Sequence, residues 1–389
     1  MSCTPAITTV SLGRPGLHGM EAKLRAAADN GITSIELFFE DIEALAGNPP
    51  LEPHASRAKA LLDAVIVTRD LCRKLAITIL NLQPLRFYEG LVDRDETERM
   101  QRDEIPLWLD MMGVLGTDTL LVASNFLGPD PDTGAPRTTG SRSALEADIR
   151  FLADAAAQRS PPIRIAYEAI AWADHVFLWE QAWDLVRAVN RPNMGIVLDT
   201  FNMACAAYAD PCTSSGTLSD NPSVAAMTLG ASLRRLARDV DFSRVFAVQV
   251  ADGERLDKPL LPGHPFHVAG QPARMSWSRN ARLFLCEPYR GGYLPILDIV
   301  RCLVGCGWRG PMAFEVFSRT LADPAASAPA HHARRAAQSW DAMCATLSLR
   351  SLEPPVRQDH DAKLAEPMHV PMDSGRSKLF QGILGLMFS

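Results

Sequence analysis

The sequence predicts a (β/α)8 barrel, and three observations carry that expectation. Eight short β-like runs, each followed by a helical run, alternate along the 389 residues. The β-like runs are apolar on both sides of the chain, as parallel strands covered on both faces should be. Four of them stop on an oxygen that favours metals: Glu168, Asp199, Gln249 and Glu315. Steady alternation implies a parallel sheet, and eight strands imply closure. The carboxyl ends of barrel strands all open on one face, where active sites gather. An open, doubly wound sheet would need a glycine-rich phosphate turn after an early strand. Ser11-Leu12-Gly13-Arg14-Pro15-Gly16 has the wrong spacing for one.

The elements follow in order. A β-like run at 7–12 precedes a helix at about 20–30, which Gly31 closes. The second strand is read at 34–39 and a long amphipathic helix at 55–74. The third strand covers 76–82, and helical periodicity runs through 96–115. The fourth covers 119–124, ahead of a loop of Gly, Pro and Asp and a helix at 143–158. Strand five at 163–168 leads to a helix at 175–189, and strand six at 195–199 to a helix near 232–240. Strand seven at 245–250, a helix at 294–305, strand eight at 312–317 and a helix at 331–347 complete the count.

Two regions break this rhythm. Residues 252–284 form a long insertion after strand seven, rich in Pro, Gly, His and Arg. A loop of that length on the catalytic face points to function. Residues 1–348 therefore read as the barrel, and 349–389 as a tail that is polar and Pro-containing through 376. The closing run at 379–388 is apolar enough to dock, for example on a partner subunit, which leaves a homo-oligomer open.

Composition narrows the function. With 47% hydrophobic and 22% charged residues the chain is an ordinary globular protein. A net charge of −6 and the lack of a dense Lys/Arg stripe exclude a dedicated nucleic-acid binder. A small anionic substrate stays open, because a few placed arginines can hold one. No stretch is apolar enough to span a bilayer, and no secretory leader is evident. The eight cysteines form no CxxC pair, so reduced thiols in a cytoplasmic protein are the default reading. One polar residue at a strand end means little. Four in successive strands, at the same relative place, read as a hard oxygen site for Mg²⁺, Mn²⁺ or another divalent metal.

The stretch Tyr167-Glu168-Ala169-Ile170-Ala171-Trp172-Ala173-Asp174-His175-Val176, followed by Gly195-Ile196-Val197-Leu198-Asp199-Thr200-Phe201-Asn202, resembles the xylose isomerase-like TIM barrels. Within them it is most similar to 3-dehydroshikimate dehydratases of the quinate-degrading type. Leu82-Gln83-Pro84-Leu85-Arg86-Phe87-Tyr88-Glu89-Gly90, Val248-Gln249-Val250-Ala251-Asp252 and Trp277-Ser278-Arg279-Asn280 extend the match over roughly residues 5–345. The resemblance implies a metal-dependent lyase whose ligands are Glu168, Asp199, Gln249 and Glu315, the set already read from the strand ends. Mg²⁺, Mn²⁺ or Co²⁺ would act as Lewis acid on a substrate ketone. Proton loss beside it and departure of the β-hydroxyl would give an aromatic acid, protocatechuate.

Other residues take roles in that picture. Arg86, just past strand three, can grip a carboxylate bidentately, and Arg279 has a similar claim from the insertion. A lone arginine is more often a surface ion-pair partner. Relatives often place His or Lys three residues after the strand-six Asp, where this chain has Asn202. A carboxamide can hydrogen-bond a substrate hydroxyl but cannot act as a base. Proton transfer then shifts to His175, read at the start of the next helix, with His264 and His267 of the insertion behind it. The plainer reading of His175 is a histidine that caps or packs. Glu36, in strand two, can hydrogen-bond substrate or orient a ligand. The rival reading is a sugar or sugar-acid isomerase or epimerase on the same barrel. A free sugar would have no need of Arg86 and Arg279.

Overall fold

The apolar runs form strands buried on both faces because each is covered by helices outside and by its neighbours' side chains inside. The structure, a computed structural model, describes residues 2–351, so most of the tail read at 349–389 and all of its apolar end lie outside the described residues. The strands are β1 Ser2–Thr8, β2 Ser34–Phe38, β3 Thr78–Leu85, β4 Thr119–Ala123, β5 Arg164–Glu168, β6 Met194–Asp199, β7 Val245–Val250 and β8 Pro311–Phe314. Each pairs in parallel with the next, and β8 pairs with β1 through Ala6 and Ala313, which closes the barrel.

Side chains two apart on a strand share a face. Leu121, Ala166, Val197 and Ala247 meet inside as a layer of mostly small residues. Two residues further along β5, β6 and β7 come Glu168, Asp199 and Gln249, so the alternation that builds this layer also aims the polar set inward. Gly195 lets β7 approach β6: a Cβ there would lie 2.4 Å from the Arg244 carbonyl oxygen and 2.7 Å from the Phe246 ring.

Several boundaries differ from the sequence expectation. The first strand is read at 7–12 but runs Ser2–Thr8: Pro5 sits inside it opposite Met312, and residues 9–12 form a 3-10 turn. The helix read at 96–115 is Arg94–Arg99, a π-helical turn Met100–Glu104 and Ile105–Leu115 with Pro106 in its first turn. The helix read at 232–240 starts at Pro222, capped by the Asn221 side chain. Two short helices, Phe39–Leu45 and Thr200–Ala207, begin directly at strand ends where the sequence pattern shows no break. The helix read at 175–189 starts at Trp179, so His175 lies in the loop before it.

The insertion folds back on the barrel rim. Asp252–Gly253 pairs antiparallel with Arg282–Leu283, and the helix Ala273–Ala281 lies between them. Among the described residues no helix is long and apolar enough to cross a membrane. All eight cysteines are free thiols.

Candidate metal centre and substrate cavity

Glu168 ends β5, Asp199 ends β6 and Glu315 follows β8 directly. One carboxylate oxygen from each lies within 4.8 Å of the others, and all three residues are buried. Gln249 of β7 is fully buried beside them. Its Nε2 donates to Glu315 Oε1 at 3.1 Å and to Glu36 Oε2 at 2.8 Å. Its Oε1 is buried and accepts no hydrogen bond from the described residues.

Asn202 sits in the first turn of the helix that Asp199 caps. Its Nδ2 donates to Glu168 Oε1 at 2.9 Å and to Asp199 Oδ2 at 2.7 Å. Its Oδ1 accepts from the Ala171 amide. The amide thus bonds two carboxylates and the backbone, where the sequence reading expects a bond to a substrate hydroxyl. Glu36 accepts from Thr8, Asn81, Gln83 and Gln249. It is buried, so these four bonds are made away from water.

Arg282 is the residue that sequence reasoning missed. It lies three residues past Arg279, at the rim end of the insertion, and its side chain is 2% exposed. One nitrogen bridges Asp199 Oδ2 at 2.9 Å and Glu315 Oε2 at 3.1 Å, while Nε donates to Ser278 Oγ. The rings of Phe201 and Phe317 flank it at 4.3 and 5.3 Å. The signal available was an arginine two residues past Trp277-Ser278-Arg279-Asn280. Its partners are 83 and 33 residues away and leave no local trace.

Four buried carboxylates, those of Glu36, Glu168, Asp199 and Glu315, thus face one buried guanidinium. Burial first, and then repulsion from Glu315 and Asp199, drives Glu168 far above the usual carboxylate range. Burial pushes Glu315 up to about 8 against the pull of Arg282. Acidic groups crowded in a buried site call for a counter-charge, and all the donors are oxygens. With the orphaned Gln249 oxygen, the set fits a hard divalent cation.

A cavity opens above this cluster, lined by Glu168, Glu315, Arg282, Arg86, Arg279 and Ser278 among others. Its aromatic walls are Phe126 against Trp172 and Phe38 against Phe317. Arg86 pairs with Glu40 at 2.5 Å. Phe87, next in the chain, takes a left-handed backbone at φ 58°, a strained state for a bulky residue that turns the chain sharply after Arg86. Burial, and then the neighbouring Arg86, pulls Arg279 down to about 10. His175 is not brought here. Its ring nitrogen contacts Thr138 Oγ1 at 3.2 Å, its ring packs against Gly140, and it does not line the cavity. His264 packs on Phe266 within the insertion, and neither it nor His267 lines the cavity.

Residues 24–342 match the family described as xylose isomerase-like TIM barrel. The 3-dehydroshikimate dehydratase of Neurospora crassa is 40% identical over 340 residues, covering 86% of this chain and 92% of that protein. The chain belongs to the xylose isomerase-like TIM barrels, in the 3-dehydroshikimate dehydratase family. A dehydratase of the same name from Pseudomonas aeruginosa is 31% identical across 80% of this chain, and the match spans 38% of that longer protein. Among solved structures, a fusion of a xylose isomerase-like TIM barrel with 4-hydroxyphenylpyruvate dioxygenase superposes with a TM-score of 0.63 at 27% identity. It covers 92% of this chain and 46% of the fusion. Membership in the dehydratase family agrees with the motifs around Glu168 and Arg86.

Proposed function

We propose that this chain dehydrates 3-dehydroshikimate to protocatechuate with the help of a divalent cation, Mg²⁺, Mn²⁺ or Co²⁺. The observation that carries the reading is one cavity with an acidic oxygen cluster at its floor and two arginines, Arg86 and Arg279, on its wall. The floor suits a dication, and the wall suits the single carboxylate of the substrate. Glu168, Asp199, Gln249 and Glu315 would hold the cation, which when bound polarises the ketone oxygen and eases proton loss from the adjacent carbon.

The chain's own groups account for the rest. Arg86, held by Glu40, and Arg279 fix the substrate carboxylate, and the aromatic walls suit a six-membered ring that becomes planar. Asp199 has both oxygens engaged, by the Phe201 amide, Asn202 and Arg282. Glu168 Oε2 accepts no hydrogen bond from the described residues, and Glu168 lines the cavity, which makes it the best-placed proton acceptor. The proton leaves the carbon beside the ketone, the hydroxyl on the next carbon departs as water, and the remaining ring tautomerises to the aromatic acid. Atoms balance, with one water lost per substrate. The paired arginines favour this acid over a free sugar, the substrate of the isomerase reading.

Purified protein with Mn²⁺ and 3-dehydroshikimate is expected to build up protocatechuate absorbance, and chelation to stop it reversibly. No aromatic product, or full activity in chelator, would overturn the proposal.

A further inference from the structure

A glutamine makes an uncertain metal ligand because its side chain is ambidentate: one end accepts and the other donates. Only Oε1 can face a cation, and a half-turn about the last bond would present an NH₂ instead. Gln249 therefore needs something to fix its sense. Both hydrogens of its Nε2 point at carboxylate oxygens, on Glu36 and on Glu315. The reversed amide would set Oε1 against those same two oxygens with no proton between them.

Glu315 is itself a candidate ligand, so its hold on Gln249 changes with the cation. Glu36 stands outside the ligand set and does not line the substrate cavity. It is 1% exposed, and three further donors, Thr8 of β1 with Asn81 and Gln83 of β3, hold it across the barrel from Gln249. Thr8 and Gln83 point at the oxygen, Oε2, that receives Gln249. Four donors from three strands thus fix a carboxylate that can only accept.

We propose that Glu36 is a positioning residue that locks the Gln249 amide with Oε1 towards the cation. The proposal rests on the metal reading given above. Glu36→Gln keeps the shape but faces four donors with an amide that is half donor. Its new NH₂ is then satisfied when Gln249 turns its oxygen away from the metal. Outer partners of ligands typically govern affinity by ten- to a hundred-fold.

The test is Mn²⁺ binding to the intact chain, read as loss of the free-ion EPR signal, with thermal melting of the metal-free protein as a control. Glu36→Gln is expected to weaken Mn²⁺ at least ten-fold with a melting temperature near the parent's. The exchanged pair Glu36→Gln/Gln249→Glu keeps the charge and restores an NH₂-to-carboxylate bond between the two positions. It is expected to recover binding to within about ten-fold of the parent. It also provides the reading if the single variant does not fold. A parent that binds no Mn²⁺ overturns the metal reading itself. A parent that binds, beside a folded Glu36→Gln of equal affinity or an exchanged pair that fails to recover, overturns the lock alone.

Discussion

Replacing Asn202 by alanine separates two accounts of that residue. Its Nδ2 donates to Glu168 at 2.9 Å and to Asp199 at 2.7 Å, and both acceptors are carboxylates proposed to hold the cation. Hydrogen bonds to charged groups contribute roughly 1.5–3 kcal/mol each, but removing a donor from a carboxylate that still has a cation beside it costs less than the full amount. One such bond lost in effect is about 1.4 kcal/mol or more, a ten-fold change, and two bring the range to 10–100-fold. Asn202→Ala is therefore expected to weaken Mn²⁺ by that factor in a calorimetric titration. At saturating Mn²⁺ its KM for substrate should stay within about two-fold of the parent. A substrate-binding Asn202 would give the reverse pattern, with raised KM and unchanged metal affinity. That outcome would refute the hold on the two carboxylates.

Arg86→Lys keeps the charge but loses the planar fork, and KM should rise about ten-fold if about 1.4 kcal/mol of bidentate binding is lost; unchanged steady-state kinetics would move the carboxylate elsewhere. His175→Ala should keep kcat within a few-fold, because the ring rests on Thr138 away from the cavity. A loss of two to four orders, the usual size of general acid–base catalysis, would reinstate it as the base. Gly195→Ala should destabilise the fold by about 1–3 kcal/mol in urea unfolding, because its Cβ meets backbone that cannot step aside. Glu89, buried with Tyr167 and the Asn125 amide on one oxygen, is pushed up to about 7 by burial. Below its ordinary range both folded and unfolded states are protonated. As pH rises from about 4.5 to about 7 the unfolded chain ionises first, so stability falls across that window. Glu89→Gln should flatten the fall by about 3 kcal/mol between the two ends, and an unchanged slope would assign it to other groups.

The proposed ligand set stands out in the sequence because two rules coincide at it. Strand periodicity aims every second side chain inward, and a polar residue ending an apolar run stands out at Glu168, Asp199, Gln249 and Glu315. Arg86 was legible through its motif. Arg282 was not, because nothing local distinguishes it from Arg279. Only the return of the insertion to Asp252–Gly253 sets it between Asp199 and Glu315. The place of Asn202 could be seen in the sequence, but its bonds to Glu168 and Asp199 could not, since its distance to Glu168 depends on the strand register, which sequence does not display. The reading of His175 at the start of a helix assumes a helix four residues longer than the one starting at Trp179, and the intervening loop carries the ring to Thr138 instead.

The guanidinium of Arg282 has a consequence for the uptake of a cation. Buried carboxylates without a counter-charge repel one another and disfavour the charged form. Here a fixed cation, walled by two phenylalanine rings, is a resident counter-ion for Asp199 and Glu315. That counter-ion offsets part of the repulsion between the two carboxylates whether or not the proposed dication is bound, so a site built this way needs little rearrangement of the surrounding chain to take one up.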